Sequence, residues 1–509
     1  MTLTLDPLGI SLDQLRRLWS GTAARLSGAA LSRVDEAAAS VDRIVAGGGT
    51  VYGVNTGFGI LANTRIPDHR LAELQTNLIL SHSAGLGEPL PRHITRLMIV
   101  LKLIGLGRGH SGVRRHVVDA LQALLDHDAM PVIPSQGSVG ASGDLAPLSH
   151  MTAALMGWGS IDLAGEVLTA GQALTRVGIT PLQLGPKEGL ALINGTQAST
   201  AIALDALFTG ERVFAAALAA GALSTDALKG SAKPFDARIS ALRGQPGQIR
   251  VAAALRGLLD GSGIVASHTT DCPKVQDPYS FRCQPQVMGA ALDLLDHAAR
   301  TLTIEAAAVT DNPIVFPDED SAISGGNFHA QPVAFASDMI AMALCEVGSL
   351  SERRTAVLID PKMSGLPAFL TQDSGVNSGL MIPQVTAAAL VSENKSLAYP
   401  ASVDSIPTSA GQEDHVSMAP IAARKAATIA RNAAGVVAVE LIAGSQGIDL
   451  HAPLKTSPTL QDVHAKLRAL SPAFTSDRYW AADMAAVQNA VLTGDIGGGI
   501  QVLAAGGPS

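Results

Sequence analysis

The tripeptide Ala141-Ser142-Gly143 can do chemistry that no coded side chain supplies. If the backbone bends tightly here, the Gly143 nitrogen attacks the Ala141 carbonyl carbon. Glycine has no Cβ to block that approach. Loss of one water closes a five-membered ring. Loss of the Ser142 hydroxyl as a second water leaves an exocyclic methylene conjugated to the ring. The product is an electrophile able to capture an amine. A plainer reading competes, in which the stretch is a Gly/Ser turn before a helix. Asp144 is then the N-cap and Pro147 sits in the first turn, where its missing N–H costs nothing. A helix starting at Asp144 points its positive end at the tripeptide and favours negative charge there.

Ala-Ser-Gly alone is a weak signal, because small tripeptides are common in loops. The longer run Gly137-Ser138-Val139-Gly140-Ala141-Ser142-Gly143-Asp144-Leu145-Ala146-Pro147-Leu148 is far more specific. It resembles the signature of the aromatic amino acid ammonia-lyases and aminomutases. Three further stretches resemble that family. They are the Gly-rich loop Tyr52-Gly53-Val54-Asn55-Thr56-Gly57-Phe58-Gly59, the segment Asn194-Gly195-Thr196, and the run Gln276-Asp277-Pro278-Tyr279-Ser280-Phe281-Arg282. The resemblance covers essentially the whole chain. It implies that the tripeptide cyclises by itself to 4-methylideneimidazol-5-one, with no external cofactor and no metal. It also implies a homotetramer whose active sites are built from several subunits.

Each candidate residue has a structural reading beside the chemical one. Tyr52 is either a surface aromatic or the base for a β-proton. A tyrosine titrating near ~10 must be depressed or paired to act near neutrality. Asn194 is an N-cap, or it lies beside the cyclised ring as in the family. Arg282 is half of a structural ion pair, or a clamp whose fork matches a substrate carboxylate. Gln276, Tyr279 and Arg282 fall at i, i+3 and i+6 and share a face if the piece is helical. Tyr279, Asn194 and Gln276 are then expected to hydrogen-bond around the ring or carboxylate. Phe328, in Gly325-Gly326-Asn327-Phe328-His329, is expected to wall the substrate ring.

Two positions point to the substrate. Ser81-His82 stands where phenylalanine and tyrosine enzymes of the family carry other pairs, and Glu413 replaces the glutamine usual in phenylalanine enzymes. An imidazole presents two nitrogens. His82 can bond one, and a carboxylate at Glu413 can accept from the other. The alternatives are that His82 orders its loop and that Glu413 caps a helix beginning near His415, or that Glu413 is catalytic and acts on the amine or the β-proton. The expected reaction is removal of the α-amino group and a β-proton from L-histidine, giving trans-urocanate and ammonia, the first step of histidine degradation. Tyrosine or phenylalanine elimination and an aminomutase are the neighbouring readings.

Other classes fit less well. A Gly-x-Ser-x-Gly hydrolase fails because position 144 is Asp. No segment forms a dinucleotide or phosphate-binding loop, so a pyridoxal phosphate cradle is not evident. A noncatalytic helical scaffold accounts for the composition but not for Tyr52, Ser142, Asn194, Arg282 and Glu413 in these contexts.

The composition sets the frame. Of 509 residues, 47% are hydrophobic and only 16% charged, so much surface must be buried, in part between subunits. The net charge of −8 argues against nucleic acid as a partner. Cys272, Cys283 and Cys345 form no Cys-x-x-Cys pair and suit a reducing compartment. The uncharged run 374–392 is the best membrane candidate, but Asn377, Pro383 and Gln384 interrupt it, so a cytoplasmic protein is expected.

The positioning elements are mainly α. Two short helices are expected around Ser20-Gly21, then helices over 69–80, 92–106 and 113–127, with a hairpin over 159–168. Long helices are expected within 188–220, opening at Asn194-Gly195-Thr196, and over 284–309, 331–354, 383–397 and 415–443, with Arg353-Arg354 at a helix C-terminus. The resulting expectation is a long-helix bundle resembling the fumarase/aspartase-like superfamily. A smaller mixed N-terminal domain, 1–110, carries the Tyr52 loop, and 111–509 carries the tripeptide.

Overall fold

In the computed structural model, residues 2–47, 67, 70–268, 275–497, 500 and 502–503 are described. The Tyr52 loop and Cys272 lie outside them.

The first 47 residues hold strands β1 (Leu3–Leu5) and β2 (Ala24–Leu26) and helices α1 (Leu12–Trp19) and α2 (Gly28–Ala46). The helices flank Ser20-Gly21 as expected, and the parallel pairing of β1 with β2 is an addition. Helix α1 starts at a capping box between Ser11 and Gln14 and buries Leu12, Leu15 and Leu18. Next come α3 (Leu71–His82), β3 (Leu86–Pro89), α4 (Arg92–Leu106), α5 (Arg115–Asp126), β4 (Ala129–Pro131) and β5 (Pro134–Gln136). The tripeptide lies between β5 and α6 (Leu145–Leu155). The expected hairpin is β6 (Ser160–Leu163) with β7 (Glu166–Thr169), which extends β4 into a three-stranded sheet.

The central part runs through α7 (Ala170–Arg176), α8 (Glu188–Ile193), α9 (Gln197–Ala227), α10 (Ala237–Arg243), α11 (Pro246–Leu259), α12 (Gly263–Ala266), α13 (Tyr279–Arg282) and α14 (Gln284–Ala306). A hairpin of β8 (Ile314–Phe316) and β9 (Ser321–Ile323) follows. The chain then forms α15 (Gln331–Ile359), α16 (Pro361–Ser364), α17 (Met381–Leu397), α18 (Ala419–Asp449), α19 (Pro458–Leu470) and α20 (Trp480–Thr493). This is the helical architecture of the fumarase-like lyases.

Three of these helices, α9, α15 and α18, lie side by side and run the same way. Near their C-terminal thirds, Glu440 of α18 accepts from Arg354 Nη2 of α15 at 2.8 Å and from Ser224 Oγ of α9 at 2.8 Å. Helix α14 runs against them: Gln284 Nε2 donates to Thr225 Oγ1 at 3.1 Å, whereas Glu305 at its other end accepts from Thr196 Oγ1 at 2.7 Å. Small residues allow the close approach. A Cβ on Gly210 would stand 2.8 Å from Leu344, and one on Gly221 would stand 2.0 Å from Gln284.

Two expectations change here. The long helix opens after Asn194–Thr196 as expected, with the separate short α8 before it, but it continues through Gly221 to Ala227. Gly221 is not a stop, because tertiary contacts on every side of α9 outweigh its weak helix propensity. Arg353-Arg354 do not end α15, which runs on to Ile359. Arg354 is fully buried on Glu440 instead, a pair whose removal would strand a charge in the core.

Helices α9, α15 and α18 are long and apolar enough to cross a membrane, unlike 374–392. Their apolar windows are 83%, 67% and 83% buried inside the bundle. Helices apolar on all sides are what the centre of a large helical core requires.

Candidate active site

Three loops meet at the tripeptide. Gly140 and Gly143 have φ of +65° and +74°, which bend the backbone on either side of Ala141-Ser142. A Cβ on Gly143 would lie 2.2 Å from the Gly195 carbonyl oxygen, so only glycine fits. Asp144 N donates to that same oxygen at 2.8 Å, joining the tripeptide turn to the Asn194–Thr196 turn. From the third loop, Ser417 Oγ donates to Gly140 O at 2.8 Å and Met418 N donates to Val139 O at 2.8 Å. A tight glycine-flanked bend of this kind fits the cyclised tripeptide. The N-termini of α6, α9 and α18 all open onto it, and their dipoles favour negative charge there.

Asn194 ends α8 rather than opening a helix, so it is not an N-cap. Its Nδ2 donates to the Ser142 carbonyl oxygen at 2.9 Å. Asp144 also departs from expectation. It occupies the N-cap position of α6 but makes no cap bond there. Its carboxylate turns to α9, accepting from Ser199 N at 2.7 Å and Ser199 Oγ at 2.9 Å. The free N–H and hydroxyl in the first turn of α9 give a fully buried carboxylate two donors at once, which α6 does not offer. Burial still outweighs them and pushes the Asp144 carboxyl up to about 6.

Glu413 faces Ser142. Ser142 Oγ donates to Glu413 Oε1 at 2.7 Å, and Thr408 Oγ1 and Ser409 Oγ donate to Oε2 at 2.6 and 2.9 Å. It caps no helix, since α18 begins only at Ala419. Partial burial pushes its carboxyl upward, but the three hydroxyls more than offset this and hold it below the usual range. His82 lies close to this carboxylate. The His82 ring is set by Nδ1, 2.8 Å from Leu78 O, which assigns the proton to Nδ1 and leaves Nε2 as acceptor. After His82 the chain is tied back to α6 by Gly85 N donating to His150 Nε2 at 3.0 Å, and by β3 pairing with β5. Phe328 is half-buried at the approach to α15, where the neighbouring His329 ring stacks on His415 at 5.6 Å.

The remaining candidates are elsewhere. Helix α13 covers only Tyr279–Arg282, so Gln276 is outside it and exposed, and the three residues do not line one helical face. The Arg282 guanidinium stacks 4.6 Å above the Tyr279 ring, and its buried Nε has no hydrogen-bond partner among the described residues. Among the described residues no ion pair involves Arg282. Two residues on, Gln284 bonds Thr225 near the C-terminal end of α9, whereas Asn194 and the tripeptide flank its N-terminal end. At ~1.5 Å per helical residue the two groups are roughly 40 Å apart within one chain.

Several residues around the site were not anticipated. Ser199, Thr408 and Ser409 carry no signal beyond polarity. Lys102 does: it is the one charge in the second half of the apolar run Ile94–Leu106. In the structure it is buried beneath the Asn194 turn.

The profile of the aromatic amino acid lyases matches residues 10–469, and the chain belongs to this family. A histidine ammonia-lyase of Burkholderia pseudomallei is 58% identical over 490 residues, covering 96% of each chain. Among solved structures, a histidine ammonia-lyase from Trypanosoma cruzi superposes with a TM-score of 0.90 at 41% identity, covering 97% of this chain and 94% of its own. A tyrosine aminomutase from Streptomyces globisporus superposes at 0.92 with 34% identity, covering 97% and 98%.

Proposed function

We propose that the chain is a histidine ammonia-lyase, converting L-histidine to trans-urocanate and ammonia. Relatives of that name, 58% identical over nearly full length, support the reaction class. The observation that carries the substrate is Glu413, a carboxylate beside Ser142 that keeps its Thr408 and Ser409 donors once the Ser142 hydroxyl is lost, with His82 presenting an acceptor nitrogen nearby. An imidazolium donates to both. A phenyl ring donates to neither and leaves Glu413 Oε1 and His82 Nε2 without a partner from the substrate, which penalises it.

Once formed from Ala141-Ser142-Gly143, the methylideneimidazolone supplies an electrophilic carbon for the amine. The other residues bind and orient. Asn194 Nδ2 holds the Ser142 carbonyl oxygen. The Arg282 guanidinium, with its unpartnered Nε, binds the carboxylate in a charge-assisted pair, and Tyr279 braces it. Phe328 walls the ring and Gln276 reaches the carboxylate from its exposed loop. Tyr52 is the base in this proposal.

The assembly is a homotetramer with shared sites. Its support is the roughly 40 Å between Arg282 and Ser142 in one chain, too far for one amino acid to bridge. Exposed apolar side chains along the bundle, Ile304, Phe335, Met342, Ile382 and Val385, offer surface for such contacts. The enzyme is placed in the cytoplasm, with neither membrane nor nucleic acid as partner.

Steady-state comparison of histidine, tyrosine and phenylalanine, following the unsaturated acid by absorbance, tests the assignment. Histidine is expected to have the highest kcat/KM. A higher value for either of the others would overturn it.

A further inference from the structure

We propose that Lys102 is a positioning residue for the reaction: its buried ammonium locks the Asn194 turn so that the carboxamide stays on the Ser142 carbonyl oxygen, and it biases that oxygen toward negative charge. This role rests on the reading that Ser142 becomes part of the cyclised ring.

The geometry is specific. Lys102 projects from α4 into the interior and is 2% exposed. Its Nζ donates to Asn194 O at 2.9 Å and to Ala191 O at 3.1 Å. Those carbonyls close the C-terminal end of α8, where a cation is favoured. Through Asn194, the charge is one residue removed from the Ser142 oxygen. Lys102 has no ion-pair partner among the described residues, unlike the neighbouring Lys187, whose Nζ meets Asp311 Oδ2 at 2.6 Å. A neutral donor could cap the two carbonyls without the cost of burying a charge. What the charge adds is a fixed positive potential behind the one side-chain donor on Ser142 O, in a site screened from water.

Space around the turn agrees. A cavity of about 10 Å³ is bounded by Lys102, Ala191, Asn194, Gln197, Thr310 and Asp311, which is room for about one water. Asn194 Oδ1 and Gln197 Oε1 are buried without partners among the described residues, so a water there would satisfy acceptors and brace the carboxamide.

The charged groups facing Lys102 are Asp311 and Asp144, which favour its ammonium, and Lys187, which opposes it. Glu305, on the Thr196 side of the turn, is a further buried carboxyl. Burial outweighs the carboxylates and pulls the Lys102 pKa down to about 8. The ammonium is therefore present below that pH and lost as pH rises through it.

The test is Lys102→Met, with Lys102→Gln as a second variant that retains a neutral donor. Intact mass establishes first that wild type and variant have each lost two waters. In substrate-free wild type, the near-ultraviolet band of the ring should then shift once as pH rises through about 8, and in Lys102→Met that shift should be absent. The variant's kcat should fall about 10- to 100-fold with KM changed little, and the fall of wild-type kcat above about pH 8 should disappear. A matured variant with wild-type kcat would overturn the proposal, as would one whose band still titrates. If neither variant folds, a wild-type band flat from about pH 6.5 to 9.5 overturns it alone. A wild-type chain at its full encoded mass would instead overturn the cyclisation, and this role with it.

Discussion

If one substrate must meet both Ser142 and Arg282, the two residues come from different chains, and mixing inactive variants should restore activity. Ser142→Ala removes the ring-forming hydroxyl. Arg282→Leu removes the proposed charge-assisted contact to the substrate carboxylate, worth about 2–5 kcal/mol, a loss of at least ~30-fold in kcat/KM. When the two variants are co-expressed in equal amounts, each site draws its Ser142 half from an intact chain about half the time, and its Arg282 half likewise. About a quarter of the sites are then complete, giving about a quarter of wild-type kcat per site. A control combines wild type with the double variant. Shared sites again predict about a quarter, whereas a site contained in one chain predicts about half, and about zero for the two single variants. Turnover on histidine, with subunit ratios checked by mass spectrometry, reads the result. Background activity from the single-variant mixture alongside about half from the control would refute the reasoning from the length of α9.

Intact-mass analysis should find the wild-type chain lighter than its encoded mass by two waters, and Ser142→Ala at full mass with turnover nearly abolished; a full-mass wild-type chain with full activity would end the cyclisation argument. His82→Leu with Glu413→Gln should shift selectivity from histidine toward phenylalanine by about 10-fold or more, because two polar groups that a phenyl ring cannot pair with are removed; unchanged ratios of kcat/KM would refute it. Asp144 gives a stability prediction with a definite sign. Its folded pKa of about 6 lies above the ordinary 3.8, so the folded state binds the proton more tightly and this carboxyl destabilises the fold as pH rises from about 4 to 6. Asp144→Asn removes that dependence, so relative to wild type it should gain up to about 3 kcal/mol between pH 4 and 7 in denaturant titrations, whatever constant offset it carries. A pH-independent difference would show that the carboxyl is not held above its ordinary value.

Much of the site could be read locally. The tripeptide, the Asn194 segment and Glu413 sit in short runs whose order along the chain is itself informative, and the structure brings these three together. The helix over 92–106 was legible to the residue because Pro91 precedes it and Gly107 ends it. What was not legible depends on packing. Gly221 reads as a breaker in sequence, yet α9 passes through it, since Gln284 requires a residue without a side chain there. Arg353-Arg354 read as a helix terminus, because nothing nearby announces Glu440, 86 residues on. Asp144 reads as a local cap, and only the fold shows a better donor pair 55 residues away. The i, i+3, i+6 spacing of Gln276, Tyr279 and Arg282 suggested a shared face, but the proline at 278 starts the helix too late to include Gln276.

The same distances bear on why the site is assembled this way. Its ring-forming half is anchored where α6, α9 and α18 begin, so favourable dipoles and the buried charges of Asp144 and Lys102 are fixed by one chain's own core. The proposed carboxylate-binding half, on the short α13, has its guanidinium stacked on Tyr279, with Nε unpartnered among the described residues. In the proposed assembly such an arginine gains its partner only when substrate and a second chain's ring-forming half arrive together. A monomer would hold an electrophile open to any amine and an arginine without a carboxylate. In the proposed assembly the electrophile is confined to substrates that carry a carboxylate at the right distance from their amine, and the discrimination among side chains then falls to His82 and Glu413.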